Sequence, residues 1–166
     1  MNRTGRVLLL TFLFSALAMS AQCQQTVPAF TGVWTLNLGR SRIEAKHAPI
    51  SSTVTIRYDG STWWFSRTHQ YPDGKSDTRT MTLPVGSKTA RIERRPHETI
   101  ASRMSHDGDL LVLNQDYTAD TGEKATNTVR YSLTEGGNTL VEDEREVTPE
   151  GSEHNIWVLE RSRASE

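Results

Sequence analysis

The chain has a single cysteine, Cys23, in 166 residues. That excludes an intramolecular disulfide and any zinc site with more than one thiolate ligand. An excess of either charge is also missing: 19 Lys and Arg stand against 20 Asp and Glu, a formal net charge of -1. A nucleic-acid-binding domain would carry a clear basic surplus, so no nucleic-acid partner is expected. The five histidines, His47, His69, His97, His106 and His154, show no i, i+2 or i, i+4 spacing. No metal site is expected from them. No nucleophile elbow or comparable catalytic motif occurs, so no catalytic residue and no cofactor are expected. Helical periodicity is absent after Phe30.

Long apolar runs are confined to the start. Met1-Asn2-Arg3-Thr4-Gly5-Arg6 is short and cationic, Val7 to Leu17 is almost wholly apolar, and Ala18-Met19-Ser20-Ala21-Gln22-Cys23 is rich in small residues. This is the pattern of a secretory signal peptide. The apolar run falls well short of the ~20 residues that span a hydrocarbon core, so no stable membrane insertion is expected after cleavage. Small-x-small pairs fit cleavage before Ala21 or before Gln24. Gln22 is too large for the position before a lipidated cysteine, so anchoring at Cys23 is not expected. The chain divides into a cleaved signal peptide at 1–23, a short tail at 24–29, one domain at 30–163 and a C-terminal tail at 164–166. About 140 mature residues suffice for one domain with its own core, in a secreted or periplasmic setting.

What the chain does have is β-pattern. Short runs rich in Thr, Val, Trp, Tyr and Ile alternate with glycine-bearing turns. Gly60 and Gly74, Gly108 and Gly122, and Gly137 and Gly151 are each fourteen residues apart. Each first glycine precedes a strand (61–71, 109–118, 138–148), which describes a meander of hairpins. Asp59-Gly60 is a two-residue hairpin signal that pairs Ile56 with Trp63 and Val54 with Phe65. The turn at Gly74 pairs Trp63 with Leu83, Phe65 with Met81 and Arg67 with Arg79. The turn at Gly108 pairs Met104 with Leu111, and that at Gly122 pairs Leu113 with Val129 and Leu111 with Tyr131. Cross-strand partners share a face, so one face is apolar and the other is a threonine face broken only by Trp64 and Val112. Such a sheet must close or find a second sheet. The expected fold is all-β: an antiparallel up-and-down meander closing into a barrel of eight to ten strands, with a β-sandwich as the alternative.

The two ends of the domain carry a further pattern. Phe30-Thr31-Gly32-Val33-Trp34 opens the first strand, and Asn155-Ile156-Trp157-Val158-Leu159-Glu160-Arg161 forms the last. The register taken from Gly151 puts Trp157, Leu159 and Arg161 on the face of Val141. A Gly-x-Trp at the start and an Arg near the end resemble the signature of lipocalin-like barrels of the calycin superfamily. The resemblance implies that Trp34 plugs one barrel end, with Gly32 beside it, and that Arg161 (or Arg163) packs across the indole. It also implies an open mouth opposite. Fatty-acid-binding proteins share the Gly-x-Trp, but the stretch 39–51 leaves little room for their helical pair.

On the expected inner face, apolar residues give way to polar ones towards the mouth. The expected ligand-binding residues are Trp63, Phe65, Arg67, His69, Arg79, Met81, Leu111, Leu113, Tyr117, Tyr131 and Arg145. Arg40, Arg42, Lys46 and His47, in the connection after the first strand, are expected to add to a cationic rim. An apolar wall with a few placed polar groups is the usual form of a small-molecule site, and arginine suits carboxylate or phosphate. The expected function is therefore an exported barrel that binds or carries a small hydrophobic or amphipathic molecule, with an anionic head near Arg67 and Arg79. Two alternatives stay open. One is a non-enzymatic envelope interaction module with a filled barrel, anchored through Trp64 and Val112. The other is a hydrolase or isomerase with chemistry near His69, Asp77 and Tyr117.

Overall fold

A computed structural model describes residues 27–44, 47–84, 86 and 90–162. The expected signal peptide, both cleavage sites, Cys23, Lys46 and Arg163 lie outside them. Ten antiparallel strands form one nearly closed barrel: β1 (Gly32–Leu36), β2 (Ser51–Tyr58), β3 (Thr62–Gln70), β4 (Ser76–Pro84), β5 (Arg91–Arg95), β6 (Glu98–Asp107), β7 (Leu110–Ala119), β8 (Lys124–Thr134), β9 (Thr139–Thr148) and β10 (Gly151–Arg161). Their spatial order is β4-β3-β2-β1-β10-β9-β8-β7-β6-β5, so every neighbour is a sequence neighbour except where β1 meets β10. The meander is confirmed and the sandwich is not formed. β4 and β5 are the two sheet edges, and the Arg91 guanidinium donates to the Thr82 carbonyl across the gap between them.

The registers follow from the turns. Tyr71 N donates to Lys75 O at 2.9 Å, and Trp63, Phe65 and Arg67 meet Leu83, Met81 and Arg79 as expected. The pairing of β7 with β8 also matches expectation. At Gly60 the hairpin is wider. Asp59 Oδ1 accepts from the backbone N–H groups of Ser61 and Thr62, each at 2.8 Å, which holds a four-residue loop and pairs Ile56 with Phe65 instead of Trp63. At Gly108 the loop is Gly108-Asp109, so Met104 meets Leu113 instead of Leu111. Both slips are of two residues, and a strand's period of two leaves every side chain on its expected face.

The turn before β10 slips by one. Thr148 pairs with Gly151 around Pro149-Glu150, which puts Trp157 opposite Glu142 and Leu159 opposite Leu140. Leu140, Glu142 and Glu144 therefore point inward, while Val141, Asp143 and Arg145 point out. Val112 departs from expectation as well: it is on the outer face yet buried, whereas Trp64 is exposed.

One barrel end is plugged. Trp34 is fully buried, and its indole Nε1 donates to Phe30 O at 3.0 Å. The Arg161 guanidinium carbon lies 4.1 Å from the Trp34 ring centroid, where cation and indole face attract. Arg161 also donates to the carbonyls of Ala29 (2.8 Å), Thr31 (2.7 Å) and Gly137 (3.0 and 3.1 Å). Gly32 is required here: a Cβ would sit 2.5 Å from Arg161 Nη1, at φ +154°. The 3-10 turn Val27–Phe30 belongs to this plug, so the end of the expected 24–29 tail is structural. Beyond β1 the chain makes a 3-10 turn at Leu38–Arg40 and bridges Arg42 to Ile156.

Candidate functional site

Inside the barrel, Trp63, Leu111, Ile56 and Leu140 are fully buried next to the plug and form a filled lower half. Above them lies a cavity of about 200 Å³. Its apolar wall is Val54, Phe65, Met81, Leu113 and Val129, with the rings of Tyr131 and Trp157. Its polar wall is Arg67 and His69 from β3, Arg79 from β4, Glu93 and Arg95 from β5, and Gln115 and Tyr117 from β7. Asn127 and Glu144, from β8 and β9, complete it. Of the eleven expected ligand-binding residues, Trp63 and Leu111 belong to the filled half below. Arg145 is outside altogether: it is exposed and pairs with Asp143 at 3.4 Å, because the one-residue slip before β10 turned it outward. The other eight line the cavity.

Each arginine of the cavity wall is paired with a carboxylate, which corrects the expected cationic rim. Arg67 forms a short ion pair with Glu142, whose side chain is 0% exposed, and its guanidinium carbon lies 5.6 Å from the Trp157 ring centroid. Burial pushes the Glu142 carboxyl up, against the pull of Arg67; burial also works against charge on Arg67, but Glu142, Tyr131 and Glu144 together outweigh it and hold the guanidinium charged. Arg79 Nε is 2.9 Å from Asp77 and Arg95 Nε is 2.7 Å from Glu93. Arg40 is not at the mouth at all: it pairs with Glu135 at 2.6 Å, next to the plugged end. Arg42 lies on the outer wall against His154, 3.1 Å away.

His69 packs on Trp157 with ring centroids 5.7 Å apart. Burial, with the nearby charges of Arg67 and Arg79, lowers its pKa to about 4, so the imidazole is neutral at neutral pH. His69 and Asp77 are cross-strand partners, but Asp77 is engaged by Arg79 and His69 Nδ1 has no hydrogen bond in the protein. Tyr117 donates to Gln115 Oε1 at 3.1 Å, and Gln115 Nε2 to Ser102 Oγ at 3.1 Å. Burial raises the Tyr117 phenol, so it stays protonated.

Sequence reasoning missed Glu142 and Glu144. Glu144 accepts from Asn127 Nδ2 (3.0 Å), Asn155 Nδ2 (3.2 Å) and Trp157 Nε1 (2.7 Å). Reading Pro149-Glu150 as a two-residue loop, with proline in its favoured first turn position, would have placed both carboxylates inside.

The topology, the plug and the cavity define a calycin-like β-barrel. No protein-family model and no curated protein matches the sequence. Solved structures do match it in fold. A secretory abundant heat soluble protein from Ramazzottius varieornatus has a TM-score of 0.57 at 13% identity, over 84% of this chain and 99% of that one. Rv2717c from M. tuberculosis has a TM-score of 0.53 at 17% identity, over 86% and 99%. A zebrafish ileal bile acid-binding protein, solved with cholic acid, has a TM-score of 0.50 at 13% identity, over 81% and 99%. At these identities the likeness is one of fold.

Proposed function

We propose that this protein is an exported barrel that binds a small amphipathic molecule in its upper cavity. The observation that carries the reading is the division of the barrel: one half filled and plugged, the other hollow, with Phe65, Met81, Leu113 and Val129 facing a set of polar side chains. A volume of about 200 Å³ lies below the usual range of roughly 300–1,000 Å³ for drug-sized ligands, so the ligand is compact. The bile acid-binding neighbour supports the use of such a cavity for an amphipathic guest. Export rests on the apolar run and small residues of 1–23.

A second reading gives the ligand an anionic head at the lip. Arg79 favours it: its side chain is 68% exposed and its partner Asp77 42%, and exposed pairs of this kind are worth little. A ligand carboxylate could therefore replace Asp77. The test of the binding reading is native mass spectrometry of protein recovered from its export compartment. A bound small molecule, released on denaturation, is the expected result. Protein of bare mature mass, whose tryptophan emission no amphipathic probe shifts, would overturn it.

A further inference from the structure

The choice of head group is written in the polar atoms that the protein leaves unused. All three arginines on the cavity wall already hold a carboxylate: Arg67 holds Glu142, Arg79 holds Asp77 and Arg95 holds Glu93. Glu144 is different. Its oxygens are held by neutral donors from Asn127, Asn155 and Trp157. Among the described residues, Arg67 is therefore the cation buried inside the barrel, set against Glu142 and Glu144 there and Glu146 further along the same face of β9, and a buried ligand carboxylate would add to that excess. The neutral His69 imidazole offers no compensating charge.

Among the described residues three buried side-chain atoms lack a hydrogen bond in the protein: Asn127 Oδ1 and His69 Nδ1, both of cavity-wall residues, and Glu142 Oε1, on the carboxylate that holds Arg67. The Asn127 amide is oriented by its own chemistry. Its Nδ2 must face the Glu144 carboxylate, which accepts only, and this turns Oδ1 to the other side. A buried acceptor left unpaired is costly, so a ligand that reaches it gains by donating a hydrogen bond there.

We propose that the ligand presents a neutral hydroxyl to Asn127 Oδ1, which makes it a compact hydrophobic alcohol and not a fatty carboxylate. The assignment rests on the binding reading above and narrows it. A hydroxyl donates to the amide oxygen without adding charge to the barrel. Its oxygen can also accept in return, which suits the neutral His69 in the tautomer that carries its proton on Nδ1.

The test uses the whole mature protein at neutral pH and four probes of nearly equal length: 1-octanol, octanoate, octylammonium and 1-methoxyheptane. Binding is read by calorimetry and by the emission of Trp157, which lines the cavity. The expected result is that 1-octanol binds about tenfold or more tightly than each of the others, the ether falling behind because it keeps the oxygen and loses the donor. Asn127→Leu is expected to bring octanol down to the ether. The ether arm needs no variant, so a folding defect in Asn127→Leu leaves the test intact. Ether and alcohol binding equally would overturn the hydroxyl assignment and leave the carrier standing. Octanoate as tight as octanol would overturn it in favour of the lip reading, and octylammonium as the tightest probe would overturn it in favour of a cation. If none of the four binds, the hydroxyl assignment falls, and the binding reading falls with it when the recovered protein also has its bare mature mass.

Discussion

Two arginines lie against tryptophans at the two levels of this barrel, and the protein treats them differently. Arg161, at the plugged end, is answered among the described residues by neutral groups, the carbonyls of Ala29, Thr31 and Gly137 and the face of Trp34. Arg67, on the cavity wall, lies near Trp157 and is answered by a fully buried carboxylate. Neutral acceptors keep their strength at any pH and leave nothing stranded but carbonyls. A buried ion pair is conditional: each partner needs the other. The first arrangement closes a barrel, and the second keeps charges poised beside a cavity.

The largest test of this contrast is Arg67→Met. It leaves Glu142, 0% exposed, without its counter-charge, and breaking a buried pair in this way costs about 3–5 kcal/mol. Urea denaturation at neutral pH should show the loss. The double variant Arg67→Met with Glu142→Leu should regain most of it, because no charge is then stranded. A double variant as unstable as the single would show that Arg67 matters for its packing alone.

Arg161→Met comes next. Hydrogen bonds to a charged group contribute about 1.5–3 kcal/mol, and some of the stranded carbonyls will find water, so a loss of about 2–3 kcal/mol is expected. No carboxylate replacement should rescue it, since none is paired with it. A rescue of Arg161→Met by neutralising any acid would break the contrast between the two ends.

A smaller effect comes from pH. The folded pKa of His69 is lowered to about 4 from an ordinary 6.5, so the unfolded chain binds a proton first as pH falls. The contribution to stability is full above about pH 6.5 and is lost progressively towards pH 4. Solvent screening of this half-buried ring limits it to about 1–2 kcal/mol. The denaturation midpoint should fall across that window in the parent and flatten there in His69→Gln. Arg161 keeps its charge throughout this window, so Arg161→Met should keep the parent's slope.

How much of this was legible in the sequence follows from the period of a strand. The apolar face, the plug at Gly32, Trp34 and Arg161, and the walls of β3, β4, β7 and β8 could be read because turn signals fixed them to within an even number of residues. At Asp59 and Gly108 the turns were misjudged by two, and Phe65, Arg67 and Leu113 kept their faces. At Pro149 the turn was misjudged by one, and β9 was turned inside out. Nothing in β9 itself warns of this. Val141 and Val147 lie on one face against Leu140 on the other, so hydrophobicity favours the wrong face. What settles the strand lies outside it: the two-residue turn at Pro149-Glu150, and Arg67, whose charge needs a carboxylate inside the barrel and reaches it across the fold.

Arg145→Ala is the smallest test and bears on that same turn. On the outer face Arg145 is exposed and shares Asp143 with His154, whose Nε2 lies 3.0 Å from that carboxylate. An exposed pair with a second partner in reserve contributes about 0–1 kcal/mol, so the denaturation midpoint should hardly move. Probe binding should not move at all. Were Arg145 inward, as the sequence suggests, its removal would change the charge of the cavity and shift the order of alcohol, acid and amine. A changed order in Arg145→Ala would therefore undo the register of β9 and return Glu142 to the surface. An unchanged order, beside a large loss in Arg67→Met, separates an arginine that merely sits on the wall from one that the interior depends on.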